Sequence, residues 1–170
     1  MTTIVESIRG EFLRYKSLAE KAMAQVSDAD LSAQGPGGGN SIAVICRHIS
    51  GNFSSRFTDF LTTDGEKPWR EREGEFQPRA AVDRADLVSH WDQGWRVLLG
   101  VLATLTDDQL GLIVTIRRQP LLVHEALHRS LAHLSYHVGQ IVYIAKGVRG
   151  PEWHYLSIPP GQSDAYNQRA

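Results

Sequence analysis

Leu121-Leu-Val-His-Glu-Ala-Leu-His-Arg-Ser-Leu-Ala-His-Leu-Ser-Tyr-His-Val-Gly-Gln-Ile-Val-Tyr-Ile-Ala-Lys-Gly147 is the longest periodic stretch of the chain, and it holds four of its seven histidines. Val123, Leu127, Leu131, Leu134, Val138, Ile141 and Ala145 recur at steps of three and four, the spacing of one helix face. Gly147 reads as the stop, with Lys146 and Arg149 beside the negative end of the dipole and Pro151 following. His133 and His137 stand four apart, so their rings leave one face and can meet at one point. His124 and His128 share that spacing. At about 100° per residue the two pairs flank opposite sides of the apolar stripe and cannot serve one centre together. Spacing does not choose between them. Ala126, Ser130, Gln140 and Ile144 leave room around His133 and His137, whereas His124 sits in the first turn beside Glu125, which favours the later pair.

Working outward, Thr3 to about Val26 predicts a first helix with a stripe of Ile4, Ile8, Phe12, Tyr15, Leu18, Ala22 and Val26. Ser27-Asp28-Ala29-Asp30 reads as a turn or short capped step. The run Gln34-Gly-Pro-Gly-Gly-Gly-Asn40 breaks the chain. Ser41 to about Leu61 predicts a second helix, capped by Asn40 or Ser41. Its stripe is Ile42, Ile45, Ile49, Phe53, Phe57 and Phe60, with His48, Ser41, Asn52 and Ser55 on a narrow polar strip. Thr62 to Val82 predicts a long loop of the kind that forms lids or binding loops, pinned by Trp69 and Phe76. Asp83 to Leu105 predicts a third helix, and Thr106 caps one short turn. Leu112–Ile116 reads as extended, with Arg117–Pro120 turning the chain into the last helix as a short hairpin. The tail after Gly150 shows no helical pattern, but Trp153, Tyr155, Leu156 and Ile158 suggest that it packs on the body.

These elements predict an all-α single domain over residues 1–170, a four-helix bundle with long connections and an ordered C-terminal tail. Net charge is −1, which gives no electrostatic reason to expect nucleic acid or an anionic membrane as partner. One cysteine, Cys46, permits no intrachain disulfide and fits a reducing compartment. The N-terminus shows no secretion signal, and the longest apolar run is too short to span a bilayer. A cytoplasmic protein is expected. Cys46 reads as a small buried hydrophobe rather than a nucleophile.

Three neutral imidazoles are a common set for a divalent transition metal, leaving a further position for water or substrate. His48, the one histidine of the second helix, is the natural third ligand. His90 on the third helix and His154 in the tail are its rivals, and either could instead close the site as a fourth, structural ligand.

Asn40-Ser41-Ile42, Arg47-His48-Ile49-Ser50-Gly51-Asn52, Ala132-His133 and Tyr136-His137-Val138-Gly139-Gln140 resemble the DinB-like (YfiT-like) superfamily of metalloenzymes. The likeness extends to Ser27–Leu31 and to Leu156-Ser157-Ile158-Pro159, so it spans nearly the whole chain, in an uncharacterised branch. The resemblance implies a four-helix bundle of up-down-down-up type, often a homodimer, with zinc or nickel on His48, His133 and His137. His124 and His128 match no ligand position. It further implies a thiol-dependent transferase or isomerase that uses a low-molecular-weight thiol on a small-molecule substrate, with metal-water hydrolysis as the alternative enzyme and a non-catalytic interaction module with a structural or vestigial site as the other class. No residue is assigned a catalytic role. The candidates are Asn52 and Gln140, which could orient water or substrate or serve as buried hydrogen-bond partners, and Arg129, which could meet an anionic group or lie exposed on its helix.

Overall fold

The computed structural model describes residues 2–77 and 82–168. The order of elements is α1 (Ile4–Met23), α2 (Asp28–Ser32), α3 (Ile42–Phe57), α4 (Arg72–Glu75), α5 (Arg84–Thr104), β1 (Ile113–Ile116), β2 (Gln119–Leu122), α6 (Val123–Arg149) and α7 (Ser163–Asn167), with short 3-10 turns at Pro36–Gly38, Asp107–Gly111 and Gly150–Glu152. The protein is mostly helical, as its periodicity predicts.

Three of the four long helices start where a side chain can satisfy their free amides. Thr3 and Glu6 form a reciprocal capping box on α1, and the Asp107 carboxylate accepts the amides of Ile4 and Val5 at 2.9 Å from the far side of the chain. Ser41, one of the two expected caps, accepts the Val44 amide on α3. Asp83 accepts the Ala85 amide on α5.

Several boundaries differ from expectation. α3 ends at Phe57 rather than near Leu61, because Thr58 is extended and Asp59 turns left-handed at φ 49°. α6 runs through Gly147 to Arg149 and stops at Gly150. The hairpin turns on Arg117 and Arg118, both left-handed at φ 55° and 63°, so Gln119 and Pro120 already belong to β2. The tail does carry one short helix, α7; before that helix Trp153 is buried, but Tyr155 and Ile158 are exposed. Most of the expected 62–82 loop is irregular apart from α4, and positions 78–81 lie outside the described residues. Trp69 does not pin the loop, since its side chain is 54% exposed.

α1 lies along α6 and α3 along α5, while α3 also touches α6 and α1 touches α5. The centre is aromatic. Phe12, Phe53 and Trp95 meet edge to face, with centroids 5.0–6.5 Å apart, and all three are at most 1% exposed. Such pairs add specific geometry to the burial of large apolar area. From α6, Leu127, Leu134, Val138 and Ile141 complete this core. Among the described residues no helix is long and apolar enough to cross a membrane.

The crossing of α3 and α5 is close because Gly94 has no side chain. A Cβ there would stand 2.7 Å from Ser50 Cα and 2.9 Å from Ser50 O, and backbone cannot move aside as a flexible side chain can. The Ser50 hydroxyl donates to the His90 carbonyl at the same point. Gly94→Ala is therefore expected to force the helices apart and cost about 2 kcal/mol, which a thermal melt would register as a loss of roughly 4–8 °C.

Candidate metal centre

α3 contributes His48 and α6 contributes His133 and His137, and the three rings meet between these helices. His133 Nε2 lies 3.1 Å from Nε2 of His48 and 3.1 Å from Nε2 of His137. Donor atoms of the three all fall within 4.8 Å of one another. Imidazole nitrogens about 2.0–2.1 Å from a tetrahedral ion would be separated by roughly 3.4 Å, close to the spacing seen. His48 and His137 are buried and His133 is half-buried.

The outer nitrogens determine what the inner ones can do. His48 Nδ1 stands 2.8 Å from Glu75 Oε2, and His137 Nδ1 stands 2.8 Å from Gln140 Oε1. Burial alone would raise the Glu75 pKa, but hydrogen bonds from His48 and Arg70 and the Arg70 charge overcome it and hold the carboxyl below its ordinary value. An ionised carboxylate only accepts, so His48 Nδ1 carries the proton. The Gln140 oxygen likewise takes the Nδ1–H of His137. In their neutral forms both rings then turn an Nε2 lone pair inward, towards His133. The His133 ring is kept neutral chiefly by burial, then by the repulsion its charged form would meet from protonated His137 and His48 and from Arg70 and Arg56, with its pKa lowered to about 3. Burial lowers His137 as well, against the opposing bond from Gln140. Three Nε2 atoms at this spacing, two of them on rings oriented from behind, are suited to a cation, and the set could hold a metal ion.

Glu75 is itself held from behind. Arg70, whose side chain is 2% exposed, donates to both carboxylate oxygens at 2.8 and 2.9 Å. Phe76, next in sequence, lies tilted on the His48 ring with centroids 4.8 Å apart. The segment expected as a lid or binding loop therefore supplies the outer support of His48. Gly51 makes room for it: a Cβ on Gly51 would lie 2.9 Å from the Glu75 carboxyl carbon and closer still to Oε1. Glu75 is flexible, so Gly51→Ala is expected to cost little stability. It would push the carboxylate off His48 and weaken metal affinity roughly 10–100-fold, the usual effect of losing an outer-shell partner. Competition with a chromogenic chelator would measure this.

A family model described as protein of unknown function, DUF1572, matches residues 1–162. The chain belongs to the DUF1572 family. No curated protein and no solved structure matches it significantly.

The other candidates of this DUF1572 chain fall in distinct places. His90 is exposed, with Nδ1 on the Asp86 carbonyl. His154 is exposed in the tail, where its backbone pairs with Gln25. Neither belongs to the converging set. His124 Nδ1 meets the Leu110 carbonyl, and His128 stacks edgewise on His124 at the surface. Asn52 and Arg129 line a cavity of about 180 Å³ that opens on His48 and His133. Gln140 does not line it, and its Oε1 lies 2.8 Å from His137 Nδ1. Cys46 is 1% exposed, its sulfur against Met23 Sδ, and burial pushes its thiol up to about 12, in keeping with a small buried hydrophobe. Glu75 and Arg70 escaped the sequence reading because they act from the single-turn α4 and the irregular stretch before it, too short to show a period. The one local signal was Gly51, three residues after His48, where a neighbour comes close.

Proposed function

We propose that this chain is a DinB-like four-helix bundle of up-down-down-up type that binds one divalent transition metal, zinc or nickel, through Nε2 of His48, His133 and His137, and that it is an enzyme of the thiol S-transferase or isomerase type acting on a small molecule. The observation that carries this reading is the convergence of three Nε2 atoms, two of them on rings whose Nδ1 is held by an acceptor. A metal bound there would lower the pKa of a protic ligand such as a thiol or water. The chain's own residues do the rest. Glu75 and Gln140 orient the rings, Arg70 holds Glu75, and Phe76 covers His48 against water. Asn52 and Ser130 face the adjoining cavity, and neither side chain has a hydrogen bond among the described residues, so both are available to a substrate. A structural site would need a fourth protein ligand, and neither His90 nor His154 joins the three. A cytoplasmic homodimer is the setting proposed with this reading.

Elemental analysis of purified protein tests the metal, with His48→Ala, His133→Ala and His137→Ala beside His124→Ala. Equal metal in all four would end the proposal. A thermal-shift screen with Zn²⁺, Ni²⁺ and small thiols tests the chemistry: further stabilisation by a thiol in the loaded protein is expected, and a response to metal alone would favour a structural centre.

A further inference from the structure

The cavity beside the triad is ringed by guanidinium groups. Arg56, Arg70, Arg72, Arg117 and Arg129 all line it, from α3, the loop after it, α4, the hairpin and α6. Carboxylates do not balance them. Glu66 is shared at 2.9 Å between Arg56 and Arg117, Glu75 is taken by Arg70, and Arg72 pairs with the exposed Glu73. Arg129 has no ion pair or side-chain hydrogen bond among the described residues, and neither do Asn52 and Ser130 beside it. The cavity therefore offers uncommitted donors under an excess of positive charge.

Arg117 adds an independent observation. The two-residue turn of the hairpin has positive φ at both Arg117 and Arg118, a conformation that Asn and Gly adopt at far lower cost than a long side chain. Asp64 holds the strained turn, its two oxygens accepting the amides of Arg117 and Arg118 at 2.9 and 2.7 Å. The backbone of this turn would be served better by another residue. What arginine adds is a guanidinium at the rim of the cavity.

Resting on the metal-centre reading for its setting, we infer that this cavity receives the oxyanion group of the substrate, a carboxylate or a phosphate, with Arg129 and Arg117 as its receptors and Asn52 and Ser130 as neutral donors. Planar guanidinium forks match such oxyanions two bonds at a time, and the cavity has room for such a head group beside the triad.

The test is calorimetric titration of the full chain, metal-loaded and chelator-treated, with inorganic phosphate and with succinate at low ionic strength, using matched sodium chloride as blank. Wild-type protein is expected to bind at least one of the two, and the stronger names the source of the oxyanion. Arg129→Ala and Arg117→Asn are each expected to weaken that binding roughly tenfold or more, while metal content stays at the wild-type level. Arg117→Asn should also melt no lower than wild type, since Asn suits the turn, so its loss of binding could not be ascribed to unfolding. Failure of the loaded wild-type protein to bind either anion beyond the blank, or undiminished binding in both variants, overturns the inference and leaves the metal centre standing. Should the purified protein hold no metal, the metal reading fails by itself, and the same variants in the chelator-treated protein still decide the matter of the oxyanion.

Discussion

His133→Ala is expected to strip the protein of bound metal, from about one ion per chain to background. His133 Nε2 is the shared vertex of the centre, 3.1 Å from each of the other two. Without it, His48 on α3 and His137 on α6 are left as two donors on different helices. The loss should exceed the roughly 10–100-fold that an outer-shell partner is worth. His48→Ala and His137→Ala should behave alike. His124→Ala should retain its metal, because His124 is spent on the Leu110 carbonyl. The triad variants should keep their helical circular dichroism, since the aromatic core of Phe12, Phe53 and Trp95 does not involve these rings. Their melting temperature should no longer respond to added Zn²⁺ or to chelator, whereas that of the wild type should rise with metal by mass action.

Acidification is expected to have the next largest effect. His133 has its pKa lowered from 6.5 to about 3, mainly by burial, and His137 is lowered too. Between about 6.5 and about 3 the unfolded chain therefore binds a proton that the folded chain refuses. Stability falls as pH drops through that window, and above 6.5 this group contributes no slope. Glu75 acts in the same sense at the lower end: its depressed pKa stabilises the fold above the ordinary carboxylate value, and that is lost as pH falls through the lowered one. Metal-free protein should accordingly melt at clearly lower temperature at pH 5 than at pH 7.5. Metal-loaded protein should show a steeper decline, because protons and metal compete for the same lone pairs. His133→Ala should flatten part of the metal-free slope. A metal-free wild type that melts identically at both pH values would show that the buried rings do not refuse protons.

Much of this architecture is legible in the residues because helices write a period into the chain. The stripes of α1, α3, α5 and α6 came within a few residues of the observed spans, and errors lay at their ends, where a single turn decides. Gly147 looks like a stop but lies inside α6, since the helix can carry a glycine whose neighbours remain hydrogen-bonded. Trp69 looks like an anchor but lies exposed, because composition says what a side chain could bury and not whether anything covers it. The hairpin reads correctly as an extended Leu112–Ile116 followed by a turn from Arg117, but the turn is the two arginines alone, and Gln119 and Pro120 already pair in the second strand.

The sequence by itself determined that His133 and His137 share a helix face, since spacing along a helix fixes direction around it. It also determined that His48 stands on a polar strip of another helix. Only the tertiary structure decided that these rings meet, that His90 and His154 do not join them, and that Glu75, Arg70 and the arginines of the cavity surround them. The physical reason is range: a helical period is set by bonds four residues apart, whereas Glu75 reaches His48 across 27 residues through a segment whose path follows from packing and hydrogen bonds rather than from any repeat.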